Sequence, residues 1–264
     1  MKILYIGDIV AKIGRRAVGQ VLPKLKEEKQ IDFVIAQAEN MSTGNGISKK
    51  AFKEMQEAGV DFFTGGNHSF KNPEGIELLN DPKLPIIRPA NYPPETPGRG
   101  WQIQPTAFGN ILIINVMGQT FGGEVFENPL HKIDEILEAN KDEKLAATIV
   151  DFHGDLTSEK VAVGFYLDGR VSAVVGSHTH VPTADARILP GGSAHISDVG
   201  MTGPINSVLG VKKEIIIERW LNDNKLKFDW PKTGTVRFSS VLIDTDKPTM
   251  SKSIEQILIN VEVN

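Results

Sequence analysis

Cysteine is absent from this sequence, which excludes disulfides, thiolate metal sites and cysteine nucleophiles. No apolar run approaches the roughly 20 residues of a membrane span. The short apolar run before Gly7 falls below the ~7–15 residues of an export signal. The formal net charge of −4 shows no basic surplus of the kind that polyanion-binding proteins carry. We therefore expect a cytoplasmic protein that does not bind membranes, although a local basic patch would still allow it to bind RNA.

The order of the sequence patterns predicts an α/β fold. Of the 264 residues, 40% are hydrophobic and 23% are charged, as in an ordinary globular protein, and we expect one domain over residues 1–264. Strand and helix patterns alternate through the first two-thirds. Strand patterns dominate the final third, with one helical stretch at 212–223. This order predicts a layered α/β sandwich that mixes parallel and antiparallel strands.

Local signals sharpen these expectations at a few positions. Ser48 and Gly59 bracket a helical pattern as its cap and its stop. Pro23 lies inside the first helical pattern and is expected to kink or split it. The apolar segment 85–91 is expected to form a strand, and the Pro- and Gly-rich segment 91–100 a surface loop.

The most informative pattern is the set of polar residues that follow the apolar runs. Five runs that are typical of buried strands are each followed by acidic, amide or imidazole residues. The runs are residues 2–6, 33–37, 60–64, 146–150 and 171–175. The residues that follow them are Asp8, Glu39 with Asn40, Asn67 with His68, His153, and His178 with His180. Four of the six histidines belong to this set.

These residue types suit a transition-metal centre. The carboxyl ends of parallel strands meet at one edge of a sheet, so the side chains that follow them converge. Carboxylate, amide and imidazole donors together suit Mn, Fe, Zn or Co better than Mg or Ca, and a carboxylate such as Glu39 can bridge two cations. Each residue taken alone is more simply a cap or a solvated loop residue. Five equivalent positions together indicate a shared metal site.

His68 is the candidate for proton transfer. The side chains of the adjacent residues Asn67 and His68 cannot easily point at the same metal ion. If Asn67 binds metal, His68 is therefore free to act as an acid. A histidine is the natural donor of a proton to a leaving alkoxide near neutral pH. The alternative is a structural histidine that supports the ligands.

The same motifs resemble a known superfamily. Gly7-Asp8, Ala38-Glu39-Asn40, Gly-Gly-Asn67-His68, the strand-end His153 and Gly-Ser-His178-Thr-His180 follow the order of calcineurin-like metallophosphoesterases. More specifically, the chain resembles the bacterial YmdB-type family. The matching segments cover residues 1 to about 210, and segment 167–203 is highly specific, whereas the region beyond Gly210 is weakly patterned.

The resemblance implies a four-layered α/β/β/α metallophosphoesterase sandwich with mixed sheets, two metal ions and cyclic nucleotide phosphodiesterase activity. One metal ion would be held by Asp8, Glu39, Asn40 and His180. The other would be held by Glu39, Asn67, His153 and His178. Glu39 would bridge the ions and His68 would be the proton donor. The family also implies iron, with manganese or zinc as alternatives, and a homo-oligomer.

Two departures from the expected motifs bear on the site. The superfamily's first motif is usually Asp-x-His, whereas Val10 stands at the histidine position here, and Asn40 is expected to take its place. The YmdB-type pattern after the strand-end histidine is usually Ala-Glu, whereas this chain has Gly154-Asp155. Because His153 is retained, we expect metal binding to persist, with the shorter Asp155 altering affinity or substrate choice.

Four further polar residues lie near these motifs. Arg15 and Arg16 are candidates for a contact with substrate phosphate, unless they only face solvent. Asp198 is a candidate for orienting a ligand histidine, unless it only stabilises its own turn. His195 is expected to pack in the interior without binding metal. Segment 44–46 is expected to form a loop beside the site that could act as a lid.

The combined prediction is a metal-dependent phosphodiesterase that hydrolyses small phosphodiesters, with 2′,3′-cyclic nucleotides as substrates and 3′-nucleotides as products. A hydroxide bridging the metal ions would attack phosphorus, and His68 would protonate the departing ribose oxygen. Two alternatives stay open. One is a phosphomonoesterase or RNA phosphodiesterase with the same centre, and the other is a nucleotide-binding regulatory protein.

Overall fold

The computed structural model describes residues 1–121, 124–223 and 225–264. Its strands and helices follow one another in the order β1 (Lys2–Ile6), α1 (Ala11–Lys29), β2 (Phe33–Gln37), α2 (Lys49–Glu57), β3 (Phe62–Thr64), α3 (Pro73–Asn80), β4 (Trp101–Thr106), β5 (Gly109–Met117), β6 (Thr120–Phe121), β7 (Glu124–Val125), α4 (Pro129–Ala139), β8 (Leu145–His153), α5 (Thr157–Tyr166), β9 (Ala173–Ser177), β10 (Arg187–Ile188), β11 (Ala194–Ile196), β12 (Gly203–Pro204), α6 (Lys213–Asn222), β13 (Gly234–Lys247) and β14 (Met250–Val263). Within these ranges no helix combines the length and apolar character needed to cross a membrane.

Two six-stranded mixed sheets form the centre of the fold. The first has the order β12-β13-β1-β2-β3, with β14 paired along β13. The second has the order β10-β11-β9-β8-β5-β4. Strands β1, β2 and β3 run parallel, as do β5, β8, β9 and β11, while β13 is antiparallel to β1. The parallel strands within each sheet therefore end at the same edge.

The two sheets pack face to face between two helical layers. Alternate side chains of a strand point to opposite faces, so Ile3 and Ile35 contact the second sheet while Leu4 and Val34 contact helices. Helices α1 and α2 cover the outer face of the first sheet, and α4 and α5 cover that of the second. The expected α/β/β/α sandwich is confirmed.

Helix α2 has the predicted ends, and of the two outcomes predicted for α1 at Pro23, a kink or a split, the split is wrong. Ser48 accepts a hydrogen bond from the Ala51 backbone N–H, and Gly59 follows the helix with φ of 105°. Helix α1 runs through Pro23 without being split. Proline lacks the N–H that would bond to the carbonyl one turn earlier, which here belongs to Gly19.

The predicted strand at 85–91 is wrong. This segment makes a single bridge, between Ile86 and Phe63. Pro85 and Pro89 lack the N–H groups that a strand ladder needs. Arg88, which is buried, instead donates hydrogen bonds to the carbonyls of Pro89 and Ala90. The segment is consequently an irregular chain held by its own arginine.

Candidate metal centre

The loops after five parallel strands bring all the predicted site residues together. Asp8 lies beyond β1, Glu39 and Asn40 lie beyond β2, Asn67 and His68 lie beyond β3, His153 ends β8, and His178 and His180 lie beyond β9. The first three strands belong to one sheet and the last two to the other. The site therefore lies at the end of the sandwich where the carboxyl ends of these strands from both sheets adjoin.

Glu39 lies at the centre of the cluster and is fully buried. Its Oε1 is 3.4 Å from His153 Nε2 and accepts a hydrogen bond of 3.1 Å from Asn40 Nδ2. Its Oε2 accepts a hydrogen bond of 2.8 Å from the His68 backbone N–H. The ligand atoms of Glu39, His153 and His178 lie within 4.8 Å of one another, a spacing suited to one metal ion.

Two groups of contacts extend from Glu39. On one side, Asn67 Oδ1 lies 3.0 Å from His153 Nε2, and the rings of His153 and His178 meet edge to face with centroids 4.7 Å apart. On the other side, His180 Nε2 lies 3.7 Å from Asp8 Oδ1. These groups correspond to the two ligand sets that the resemblance implies. Their assignment as ligands stays a prediction.

Asp8 provides the test of whether a cation fits. It is fully buried, and its Oδ2 accepts a hydrogen bond of 3.2 Å from the His178 backbone N–H. Its Oδ1 has no hydrogen-bond partner among the described residues. A buried carboxylate oxygen without a partner is costly. A cation bound between Asp8 and His180 would remove that cost, and carboxylate with imidazole is a suitable donor pair.

Asn40 contacts both the ligand cluster and His68. Its Oδ1 accepts a hydrogen bond of 2.8 Å from His68 Nδ1, and its Nδ2 lies 3.2 Å from His180 Nε2. In this orientation the amide oxygen orients the candidate acid, and the amide nitrogen faces the ligands. Binding metal through Oδ1 would require a half-turn of the amide. The contact with His68 leaves the imidazole Nε2 available to donate a proton in the cavity.

The charges of the cluster are strongly coupled. Burial raises the pKa of Glu39, but the neighbouring His153 and His68 outweigh this effect and lower the pKa to about 2. Burial lowers the pKa of His153, whereas Glu39 and Asp8 raise it to about 9. Burial and the nearby His153 lower the pKa of His178 to about 3. At neutral pH His178 is thus a neutral imidazole, the form that binds metal.

Hydrogen bonds to Nδ1 fix two of the histidine rings. His180 Nδ1 donates to the carbonyl of Leu209 at 3.0 Å. His153 Nδ1 lies 2.9 Å from Ser177 Oγ, and that hydroxyl donates to Asp151 Oδ1 at 2.8 Å. Gln37 Nε2 lies 3.1 Å from the same Nδ1, so two side chains hold this edge of the ring. Both rings therefore present Nε2 to the centre, an orientation that such hydrogen bonds commonly fix in metal-binding histidines.

Gly66 forms part of the wall of the centre. A Cβ atom added there would lie 2.3 Å from Glu39 Oε2 and 2.5 Å from His153 Nε2. We expect Gly66→Ala to weaken metal binding by about tenfold or more, because the methyl group would displace both side chains. Isothermal titration with Mn²⁺ measures the effect. Gly19→Ala is the matched control, since its surroundings are open. Wild-type affinity in Gly66→Ala would contradict this account of the wall.

A buried ion pair holds the loop that carries His178 and His180. Asp198 Oδ2 accepts hydrogen bonds from the backbone N–H and the hydroxyl of Thr179, at 3.0 and 2.7 Å. Lys160 Nζ donates to the same oxygen at 2.5 Å. The two histidines have φ values of 100° and 65°, a region that is unfavourable for non-glycine residues. Asp198 therefore positions the loop through Thr179. Its Oδ1 also accepts a hydrogen bond from the Gly200 N–H, so Asp198 stabilises its own turn as well, which was the alternative prediction.

The remaining candidates have different roles. Arg15 is buried and donates to the carbonyls of Met41 and Ser42, so it supports the loop after β2 and does not face the site. Arg16 is bonded to the carbonyl of Asn264, also away from the site. His195 is buried beside Gly164, as expected. Asp155 Oδ1, in contrast, lies 3.7 Å from His178 Nε2 and borders the centre.

Sequence reasoning missed two parts of the site. Lys160 gave no signal, because a lysine in an amphipathic helix normally faces solvent. The other part is an apolar wall beside the centre, formed by the weakly patterned C-terminal region. The cavity between the wall and the centre has a volume of about 470 Å³. Its aromatic members are Trp220, Phe228 and Trp230. Two of the chain's three tryptophans within 11 positions were a signal that could have indicated it.

Comparison with known proteins places this geometry in a family. The family model described as YmdB-like protein matches residues 4–257. A 2′,3′-cyclic-nucleotide 2′-phosphodiesterase of Bacillus subtilis (strain 168) is 42% identical over 262 residues, covering 98% of this chain and 97% of that protein.

Two crystal structures agree with this assignment. A hypothetical protein from Thermus thermophilus has a TM-score of 0.91 and 37% identity, covering 98% of this chain and 99% of that one. A phosphatase from Mycoplasma pneumoniae has a TM-score of 0.89 and 33% identity, covering 99% and 94%. The resemblance seen in the motifs is confirmed over nearly the whole length, and the chain belongs to the YmdB-like protein family.

Proposed function

We propose that this protein is a metal-dependent phosphodiesterase that hydrolyses 2′,3′-cyclic nucleotides to 3′-nucleotides. The observation that carries the proposal is the buried cluster of carboxylate, amide and imidazole groups around Glu39, open to a cavity large enough for a nucleotide. The name of the Bacillus subtilis relative, a 2′,3′-cyclic-nucleotide 2′-phosphodiesterase, supports the choice of substrate.

The family implies divalent metal ions, and the donor set fits them. We propose two ions, with iron as the native metal and manganese or zinc as substitutes. One would be held by Asp8, Glu39, Asn40 and His180. The other would be held by Glu39, Asn67, His153 and His178. When bound, such ions polarise phosphoryl oxygens and lower the pKa of a bound water. The partnerless Asp8 Oδ1 and the shared position of Glu39 support this assignment.

The chain's own groups perform the remaining work of the reaction. A water molecule loses one proton to solvent and its oxygen forms a bond to phosphorus, the bond from phosphorus to the ribose 2′ oxygen breaks, and that oxygen takes a proton from His68, which is later reprotonated from solvent. The phosphate stays on the 3′ oxygen. Asn40 orients the ring for this transfer in either orientation of its amide: Oδ1 accepts from His68 Nδ1 in the structure, and Nδ2 would donate to Nδ1 after the half-turn that metal binding requires. Burial lowers the pKa of His68 below its usual value, which makes its imidazolium a stronger acid but reduces the fraction of His68 that carries the proton near neutral pH.

The proposal is tested by assaying 2′,3′-cyclic AMP with protein reconstituted in turn with Fe²⁺, Mn²⁺ and Zn²⁺. We expect metal-dependent release of 3′-AMP and a loss of at least about 100-fold in Asp8→Ala, since even residues behind metal ligands contribute 10–100-fold. Circular dichroism of the variant checks that it folds. Release of 2′-AMP would contradict the cleavage direction, and activity that survives in folded Asp8→Ala would contradict the assigned centre.

A phosphomonoesterase is the second candidate, because the Mycoplasma pneumoniae structure that matches this chain is described as a phosphatase. The same assay with 3′-AMP and p-nitrophenyl phosphate as substrates separates the two activities.

The shared core between the sheets supports the prediction of one domain over residues 1–264. The cytoplasmic location and the homo-oligomeric state stay predictions of the sequence.

A further inference from the structure

Helix α6 is unusual among the helices because every one of its residues is partly or fully exposed. Three of its large apolar side chains are prominent: Trp220 is 87% exposed, Leu221 74% and Ile217 52%. A contiguous exposed apolar surface of this kind usually marks a binding site. Trp220 lines the cavity at the metal centre, whereas Leu221 does not.

The cavity has two chemically different walls. One wall consists of the candidate ligands and proton donor, Glu39, Asn40, His68, His178 and His180. The other consists of apolar side chains, Val208, Leu209, Val211, Ile216, Trp220, Phe228 and Trp230. A ligand whose phosphate lies at the proposed metal centre would therefore meet these apolar side chains with the rest of its surface.

Two of the three aromatic side chains are held in place. The indole of Trp230 packs on Gly44 so closely that a Cβ atom there would lie 1.9 Å from its Cε2. Gly44 has φ of 89°, which a side chain would also disfavour. The Arg219 guanidinium lies 4.5 Å from the centre of the Phe228 ring and donates to the carbonyl of Leu226. Trp220, on the exposed helix, completes the wall.

We propose that Trp220, with Phe228 and Trp230, binds the nucleobase of the substrate. This inference rests on the proposed function, in which the phosphodiester lies at the metal centre. The base is then the planar, weakly polar end of the ligand and lies against the aromatic wall. Since every base has a π-face, stacking binds bases with little sequence preference, and the larger purines gain more contact than pyrimidines.

The experiment compares Trp220→Ala with Leu221→Ala, a change on the same exposed helix outside the cavity. KM is measured for 2′,3′-cyclic AMP and for glycerol 1,2-cyclic phosphate, which has the cyclic ester but no base. Loss of one base–aromatic stack changes binding by about 5- to 150-fold. We expect a rise in KM of this size for cyclic AMP in Trp220→Ala, little change for the base-free ester, and partial rescue in Trp220→Phe.

Tryptophan fluorescence gives a readout that does not depend on turnover. Adenosine 3′-monophosphate should quench the wild type and Leu221→Ala, and should quench Trp220→Ala much less. Unchanged KM and quenching in Trp220→Ala would overturn the inference. So would a change of oligomeric state in Trp220→Ala with unchanged KM, since the helix would then be a subunit contact. If the wild type hydrolyses no cyclic nucleotide, the proposed function fails, and the quenching experiment alone decides whether the wall binds a base.

Discussion

His68→Ala is expected to slow cleavage of 2′,3′-cyclic AMP by about 100-fold or more, and cleavage of bis(p-nitrophenyl) phosphate far less. A positioned general acid contributes roughly 10²–10⁴-fold. The ribose oxygen leaves as an alkoxide that needs a proton, whereas nitrophenolate is a stable anion near neutral pH. The ratio of kcat/KM for the two substrates therefore isolates proton donation from metal binding and substrate binding.

Two controls make this result specific. His131→Ala removes an exposed histidine on α4 and should leave both rates unchanged. His68→Gln keeps a side chain that can donate a hydrogen bond to Asn40 but cannot protonate a leaving group, so it should behave like His68→Ala. Metal content, measured by mass spectrometry, identifies any loss of ions. Equal losses on both substrates at full metal content would show that His68 is not the acid.

The second large effect is expected at the buried ion pair. Lys160→Met should destabilise the fold by about 3–5 kcal/mol, because it leaves the Asp198 carboxylate buried without its cation. Both side chains are only 1% exposed. The Lys160 ammonium also donates to the carbonyl of Ser177 at 2.8 Å, directly before the His178 loop. The same change should therefore weaken metal binding through the backbone of the loop that carries His178.

Equilibrium urea denaturation measures the loss of stability. Arg170→Met is the matched control, because the Arg170–Asp134 pair has a similar distance of 2.6 Å but side chains that are 39% and 37% exposed. Its removal should cost about 1 kcal/mol or less. Combining Lys160→Met with Asp198→Asn removes both charges and should recover part of the stability. A loss in Lys160→Met no greater than that in Arg170→Met would refute the positioning role.

The site could be predicted from sequence because its ligands obey a local rule. A polar residue directly after a buried strand can only lie at the sheet edge, so the positions of Asp8, Glu39 and His153 followed from the strand pattern. The orientation of a side chain is not local. The Asn40 amide, whose oxygen faces His68, and the role of Arg15 in supporting another loop depend on neighbours that are distant in sequence.

The fold shows the same division between local and distant information. The layers, the cap at Ser48 and the stop at Gly59 were predictable from short patterns. The prediction of a strand at 85–91 was wrong because it rested on the apolar pattern alone. The prolines in this segment have no backbone N–H to donate to a neighbouring strand. The aromatic wall escaped prediction because α6 makes few interior contacts, so its apolar residues serve a cavity built by other segments.

The position of β1 has a consequence for how the chain reaches its native state. This strand carries Asp8 at its end, and one of its edges pairs with residues 240–244 of β13. Contacts so distant in sequence form late, because closing a long loop is entropically costly. On the ribosome, β1 must keep an open hydrogen-bonding edge until β13 emerges, which exposes it to incorrect pairing with other chains. Completion of the first sheet, and of the site at its edge, therefore waits for the synthesis of β13.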